Sequence, residues 1–215
     1  CIIVRILLSL YTCQKYVVQW SSVLSLPFFV SNGVPQDRIL STPFFNLYMN
    51  DLSIMLNETG VGCVINDVVI NHMFYTDDSV LLAPPPSALQ ELLNVCCKYA
   101  DMFELKYNVK KTECMVVKPK WLKSMCNPVF NLNGRTLDFT SCKKYLGCFI
   151  TDDMSDENNM KRQLRSVYAR GNMLISKCRH CSEDVKVKLF KSFCSSFYCC
   201  NLWSSYKKQS QSKLR

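Results

Sequence analysis

The chain has 215 residues, of which 48% are hydrophobic, 12% aromatic and 20% charged. This composition excludes a disordered or low-complexity chain and predicts one sizeable domain, or one domain with an appendage. Residues 1–10 are an apolar run, but Arg5 interrupts it and it is far shorter than the roughly 20 residues that cross a bilayer. We therefore expect a packed core and no membrane partner.

Charge is concentrated at one end of the chain. Residues 161–215 carry 13 basic and 2 acidic side chains, a net of +11, whereas residues 1–160 carry 13 basic and 15 acidic ones. A basic C-terminal quarter favours a polyanionic partner. The 14 cysteines follow no export signal and are interpreted as mostly buried thiols. We expect an intracellular protein, with the choice between nucleus and cytoplasm and the oligomeric state left open.

The first third of the chain predicts two helices around a β-type run. Residues 2–18 have apolar side chains at helical spacing, and residues 23–30 are typical of a strand. A second helical face begins near Pro43 and ends within residues 57–60, with the proline in its first turn.

A small antiparallel meander is predicted next. Residues 61–65 and 68–74 are β-branched runs separated by Asn66-Asp67, which is a two-residue turn signal, and residues 79–82 are a third strand. Ser87 and Gln90 have the spacing of a capping box for the helix that follows.

The last part of the chain changes from mixed elements to helices alone. Residues 113–117 and 145–150 are typical of short strands, while residues 160–175 and the stretch after Ser182 have helical periodicity. This order predicts an α+β sheet domain over residues 1–153 and a basic helical region over residues 154–215.

Paired carboxylates occur between two apolar β runs, in Tyr75-Thr76-Asp77-Asp78. Successive side chains of a strand point to opposite faces, so both aspartates can serve one site only at a turn. Two carboxylates about 4 Å apart repel by roughly 4 kcal/mol at an effective dielectric near 20, and a divalent cation relieves that repulsion. The alternative is a solvated hairpin turn, since Asp is a common turn residue.

Four stretches of sequence follow one another along the chain: Asn32-Gly33-Val34-Pro35-Gln36-Asp37-Arg38-Ile39-Leu40-Ser41 leading into residues 45–52, then Tyr75-Thr76-Asp77-Asp78, Asn108-Val109-Lys110-Lys111-Thr112 and Lys144-Tyr145-Leu146-Gly147. In this order they resemble the reverse transcriptase domain of non-LTR (LINE-like) retrotransposons. The resemblance implies a right-hand polymerase palm, an antiparallel sheet with helices, followed by a basic helical thumb. It also implies RNA-directed DNA synthesis, with an RNA template, a DNA primer, deoxynucleoside triphosphates and two Mg²⁺ ions as partners.

The resemblance also assigns roles residue by residue. Asp77 and Asp78 would be the metal ligands, and Lys111 would lie near the leaving pyrophosphate unless it is an ordinary exposed lysine. The residues expected to contact template, primer or nucleotide are Tyr75, Gln36, Ser41, Tyr145, Leu146 and Gly147.

The basic C-terminal region would correspond to the thumb. Its side chains are expected to contact the nucleic-acid backbone, foremost Lys161, Arg162, Arg165 and Arg170. A solvated basic face is the alternative for any single residue.

Two departures from the family pattern matter. Pro35-Gln36-Asp37-Arg38 stands where the family usually has Arg-Gln-Gly-Gly, so the loop loses two glycines and gains an anion. The family's first catalytic carboxylate precedes the region that residues 2–11 resemble, so we expect an N-terminally truncated domain that is inactive alone.

Two other functions are open on sequence. The chain could be a non-catalytic nucleic-acid-binding remnant of a retrotransposon, or a zinc-stabilised interaction module built on Cys178 and Cys181. Core packing of these two cysteines is favoured over zinc because they flank a helix end.

Overall fold

A computed structural model describes residues 2–12, 14–30, 33–36, 38–117, 127–205 and 212. The chain forms two compact units, Cys1–Lys106 and Tyr107–Arg215, each of which is described by itself. This division falls within the region predicted as the sheet domain. The predicted boundary at residue 153 separates functional regions, and it stays a prediction.

The first unit begins with a helix and two small hairpins: α1 (Ile2–Tyr11), β1 (Gln14–Tyr16), β2 (Gln19–Trp20), β3 (Val23–Leu24) and β4 (Phe28–Val30). β1 pairs antiparallel with β4, and β2 pairs antiparallel with β3. The predicted helix over residues 2–18 therefore ends early. Its last turn is closed by Thr12, whose amide donates to the Leu8 carbonyl at 2.8 Å, and by the Gln14 side chain, which donates to the Leu10 carbonyl at 2.7 Å.

The remainder of the first unit consists of two long helices with two hairpins between them: α2 (Ser41–Glu58), β5 (Cys63–Ile65), β6 (Val68–Ile70), β7 (His72–Tyr75), β8 (Asp78–Leu81) and α3 (Pro86–Met102). Asn66 and Asp67 have φ of 48° and 63°, which confirms the predicted two-residue turn. The predicted meander is wrong, because β5–β6 and β7–β8 are separate two-stranded sheets. The buried Asn71 interrupts the run between β6 and β7.

Helices α2 and α3 supply the core of the first unit. Leu52, Leu56, Leu92 and Tyr99 are 0% exposed. The Tyr99 hydroxyl donates to the carbonyl of Tyr48. The expected capping box at Ser87 is absent, because α3 begins at Pro86 with Pro85 as its N-cap and no side-chain cap. Proline is favoured in the first helical turn, and this places Ser87 inside the helix.

The described residues of the second unit form six short strands, two helices and one 3-10 turn: β9 (Glu113–Cys114), β10 (Asn131–Leu132), β11 (Arg135–Thr136), β12 (Asp138–Phe139), β13 (Cys142–Tyr145), β14 (Cys148–Thr151), α4 (Glu157–Lys177), α5 (Glu183–Phe193) and Cys200–Leu202. β10–β11 and β13–β14 are antiparallel hairpins, whereas β9 and β12 pair in parallel. Both predicted helices are confirmed.

The predicted strand over residues 145–150 is confirmed for residues 148–150, which belong to β14, and is interrupted at residues 146 and 147. Leu146 and Gly147 have φ of 43° and 82° and form the two-residue turn between β13 and β14. Helix α4 packs on this hairpin through Asn159, whose amide donates to the Phe149 carbonyl and whose oxygen accepts the Phe149 amide, both at 2.7 Å.

Together the two units contain helices and small, mainly antiparallel sheets, which agrees with the predicted α+β class. Among the described residues, no helix combines the length and the apolar character that a bilayer crossing requires.

Candidate active site

The β7–β8 hairpin carries the paired carboxylates. Tyr75 lies opposite Asp78 in the ladder, and Thr76 and Asp77 form the loop between them. Thr76 has φ of 51°, which is uncommon for a β-branched residue and marks a tightly constrained turn. The prediction that this motif lies at a hairpin tip is therefore confirmed.

The two carboxylates differ in position. Because residues opposite each other in a ladder point to the same face, Asp78 shares the face of Tyr75. Asp77 lies in the loop, where its Oδ1 accepts a hydrogen bond of 3.1 Å from the Thr76 hydroxyl. Both aspartates are exposed, as is Tyr75 at 58%.

This pair of exposed oxygen donors suits one hydrated magnesium ion. Mg²⁺ usually keeps several waters and takes one or two carboxylates from the protein, with the remaining positions filled by substrate phosphates. Nowhere in the described part of the chain do three or more His, Cys, Asp or Glu side chains come together to hold a metal. Exposed carboxylates thus have the chemistry that one hydrated ion requires, and the described residues do not complete a two-ion cage.

The loop before α2 contains two further predicted site residues. Gln36 is exposed and available to a ligand. Ser41 is buried at the start of α2, and its hydroxyl donates to the carbonyl of Pro35, so it braces the loop from inside. Asp37, the anion of the altered loop, lies outside the described residues.

Lys111 belongs to the second unit, and its placement relative to the aspartates stays a prediction. It is exposed in a turn in which its amide donates to the Asn108 carbonyl at 2.9 Å. The Lys143 ammonium donates to the Lys111 carbonyl at 3.1 Å and pairs with Glu113 at 2.6 Å. This turn is thus anchored while the Lys111 side chain stays exposed.

Tyr145, Leu146 and Gly147 lie at the tip of the β13–β14 hairpin. The Tyr198 hydroxyl donates to the Leu146 carbonyl at 3.0 Å, and a Cβ built on Gly147 would lie 3.0 Å from the Tyr198 ring. These contacts show that the segment around Tyr198 covers the tip on one side.

Cys148 lies next to the tip. Burial above all raises the pKa of its thiol to about 11, so Cys148 stays protonated at neutral pH.

The four predicted backbone-contacting residues of α4 divide into two groups. Lys161 and Arg165 are exposed. Arg162 lies over the Phe149 ring at 5.7 Å, and its Nε and Nη2 are buried without a hydrogen-bond partner among the described residues. The guanidinium of Arg170 donates to the Phe193 carbonyl at 2.7 Å, at the C-terminal end of α5. Of the four residues, Lys161 and Arg165 are the two whose side chains are exposed.

Cys178 and Cys181 follow the end of α4. Cys178 is half-buried and Cys181 is exposed, and the Cys181 amide donates to the Cys178 carbonyl at 3.1 Å. No third ligand joins them among the described residues, so the zinc alternative gains no support here.

Comparison with known proteins identifies the family. The chain belongs to the reverse transcriptase (RNA-dependent DNA polymerase) family, whose sequence model matches residues 4–150. This match contains the β7–β8 hairpin and the other three stretches that carry the resemblance. The predicted family is therefore confirmed.

Two relatives come from retrotransposable elements. The chain is 27% identical over 151 residues to the retrovirus-related Pol polyprotein from type-1 retrotransposable element R1 of Bradysia coprophila, a match that covers 67% of this chain and 13% of that protein. It is 25% identical over 197 residues to the RNA-directed DNA polymerase from mobile element jockey of Drosophila funebris, covering 87% of this chain and 21% of that protein. The chain thus spans about a fifth or less of each relative, and the match to both agrees with the predicted non-LTR class.

The sequence analysis did not identify Asn71, a buried polar residue between β6 and β7. Asn71 is 1% exposed, and its side-chain amide donates to the carbonyls of Leu56 and Val61 at 2.7 and 2.8 Å. Its signal was an asparagine within an otherwise apolar β run, which is where a buried polar side chain must have partners.

Proposed function

We propose that this chain provides palm and thumb elements of a reverse transcriptase, with the palm within residues 1–153 and the thumb within residues 154–215. The observation that carries the proposal is the exposed Asp77–Asp78 pair on a hairpin tip in a chain of this family. The substrates would be an RNA template, a DNA primer and deoxynucleoside triphosphates. RNA-templated DNA synthesis is the reaction that this arrangement supports best.

The residues of each unit would then divide the work. Asp77 and Asp78 would hold a divalent ion, which when bound neutralises charge on the substrate phosphates. Tyr75, exposed on the face of Asp78, would contact the primer strand. Lys111 would stabilise the charge on the leaving pyrophosphate.

We infer that the 215-residue chain is impaired on its own. Two carboxylates on one hairpin supply part of a two-ion site, and the described residues bring no third ligand to them. The two glycines that let the family's loop approach the substrate closely are replaced by Asp37 and Arg38. The incomplete ligand set would weaken metal binding, and the altered loop would weaken nucleotide binding. We therefore expect little DNA synthesis from the chain alone.

Primer extension tests this inference. With Mg²⁺, an RNA template and a DNA primer, we expect the purified chain to retard the template–primer in a native gel and to add no nucleotides above background. The retardation controls for correct folding. Extension that disappears in an Asp77→Asn variant would show a working enzyme and overturn the inferred impairment.

Charge favours a second candidate, a non-catalytic nucleic-acid-binding element. The net of +11 over residues 161–215 supplies affinity whether or not the hairpin binds metal. Replacing Asp77 and Asp78 with alanine separates the two functions. The change should abolish synthesis in an enzyme, and it should leave binding unchanged or slightly tighter in a binding element.

The salt dependence of binding tests the thumb assignment. If about five basic side chains neutralise phosphates, the logarithm of the affinity should fall with the logarithm of the salt concentration at a slope of about −4 to −5. Fluorescence anisotropy with a labelled RNA–DNA hybrid measures this slope. A flat salt response would exclude the basic helices as the binding surface.

Two arginine variants form a matched pair in that experiment. Arg165 is exposed, so Arg165→Gln should make the slope shallower by about 0.7 to 0.9 and leave stability unchanged. The guanidinium of Arg170 is held by the Phe193 and Ser196 carbonyls, so Arg170→Gln should mainly lower the free energy of unfolding, by about 1 kcal/mol. If Arg165→Gln and Arg170→Gln changed the slope equally, the hydrogen bonds of Arg170 would not keep it from contacting phosphates. The distinction between the two arginines would then be wrong.

A further inference from the structure

Three polar side chains form a continuous hydrogen-bonded line behind the β7–β8 hairpin. The Ser53 hydroxyl lies 2.7 Å from Nε2 of His72, and Nδ1 of His72 lies 2.7 Å from Oδ1 of Asn71. Ser53 belongs to α2, His72 is the first residue of β7, and Asn71 precedes it. The line therefore joins the helix to the strand that ends at Tyr75.

The direction of every hydrogen bond in this line follows from Asn71. Its amide nitrogen faces the carbonyls of Leu56 and Val61, which can only accept, so both amide hydrogens are used there. The Asn71 oxygen therefore faces His72 and must accept a hydrogen bond from Nδ1–H. Burial lowers the pKa of His72, which favours the neutral ring. In the neutral ring Nε2 then accepts from the Ser53 hydroxyl.

A serine, a histidine and an orienting amide in line also satisfy the geometry of an activated nucleophile. Ser53, however, lies in the interior of α2, where the backbone amides are engaged in helical hydrogen bonds and cannot stabilise an oxyanion. The His72 ring also packs against the Phe74 ring on the same face of β7, with 4.7 Å between the ring centroids. This packing is typical of a structural residue. The arrangement is therefore suited to holding the strand and not to attacking a substrate.

We propose that Ser53, His72 and Asn71 are positioning residues that fix the β7–β8 hairpin, and with it Asp77 and Asp78, to helix α2, with the His72 proton held on Nδ1. The consequence for the aspartates rests on the proposed function. The proton position and the coupling of hairpin to helix do not, because they follow from contacts within the first unit alone.

Long-range ¹H–¹⁵N spectra of the whole chain test the proton position. The chain has two histidines, and the exposed His180 provides the reference signals. We expect a protonated Nδ1 and an unprotonated Nε2 for His72 at pH 8. A proton on Nε2 of His72, or averaging between the two nitrogens, would overturn the proposal.

Hydrogen exchange of the backbone amides tests the positioning. Ser53→Ala removes the hydroxyl and keeps good helix propensity, so the chain should fold. We expect exchange in β7 and β8 to accelerate about fivefold, the effect of losing one partly buried hydrogen bond, with α3 unchanged. Ser53→Thr keeps a hydroxyl and should restore protection, which a mere change of packing would not do.

The outcomes separate the two claims. Unchanged exchange in Ser53→Ala would overturn the positioning role, whatever the hairpin binds. If the proton position and the exchange behave as expected while the wild-type chain binds no divalent ion, the positioning role of Ser53, His72 and Asn71 stands and the proposed metal site fails.

Discussion

We expect Tyr99→Ala to lower the free energy of unfolding by about 4 kcal/mol relative to the wild type. Tyr99 is 0% exposed between α2 and α3, and its ring centroid lies 4.4 Å from that of Phe103. Removing the ring leaves a cavity that neighbouring rings cannot fill without moving the helices. Since small domains have only about 5–15 kcal/mol of total stability, this one change would leave the first unit close to unfolding.

Tyr99→Phe is the matched control for that experiment. It keeps the ring and removes the hydroxyl that donates to the Tyr48 carbonyl, so about 1 kcal/mol should be lost. Urea unfolding followed by circular dichroism measures both variants. Equal losses in the two would mean that the hydrogen bond, and not the ring, stabilises the contact between the helices.

The second large effect is expected at Gly62. A Cβ at this position would lie 2.7 Å from Cβ of Asn71 and 2.9 Å from the Ile70 carbonyl oxygen, a backbone atom that cannot swing aside. Gly62→Ala should therefore cost about 2–3 kcal/mol by overpacking and should displace the buried Asn71.

Gly60→Ala separates the clash from the strain of a left-handed residue. Gly60 has φ of +68° and no atom within 4 Å of the built Cβ, so the cost should be about 1 kcal/mol of backbone strain. Thermal unfolding of the two variants gives the comparison. A Gly62→Ala chain as stable as Gly60→Ala would show that β5 and β6 can shift to admit the methyl group.

The turns show which parts of the fold can be predicted from the sequence. Asn66 and Asp67 adopt positive φ, which both residue types tolerate, so the sequence encodes this turn directly. Leu146-Gly147 was missed because leucine rarely takes a φ of 43° and gives no turn signal. The hydrogen bonds of the hairpin overcome that local preference.

The pairing of strands that are far apart in the sequence could not be predicted from the sequence. β9 pairs with β12 in parallel, and β1 pairs with β4 across the intervening β2–β3 hairpin. Such partners are chosen by the packing of the whole unit, because two or three residues on each side carry too little pattern to select each other.

The candidate site was predicted unevenly for a similar reason. Asp77 and Asp78 are adjacent in sequence, so a motif alone places them at one turn. Ser53 and His72 lie on different elements, and only the folded chain brings them within 2.7 Å. Likewise, a count of basic residues cannot show that the guanidinium of Arg170 is used to hold the end of α5.

Mn²⁺ titration of the ¹⁵N-labelled chain would detect a divalent ion bound at the tip of the β7–β8 hairpin. Mn²⁺ prefers the same oxygen ligands as Mg²⁺ and broadens nearby amide signals. We predict broadening centred on residues 75–79, lost in an Asp77→Asn, Asp78→Asn double variant and kept in Asp67→Asn, which changes an exposed carboxylate in the neighbouring hairpin turn. Broadening that survives the double variant, or that centres elsewhere, would contradict the assignment of Asp77 and Asp78 as metal ligands.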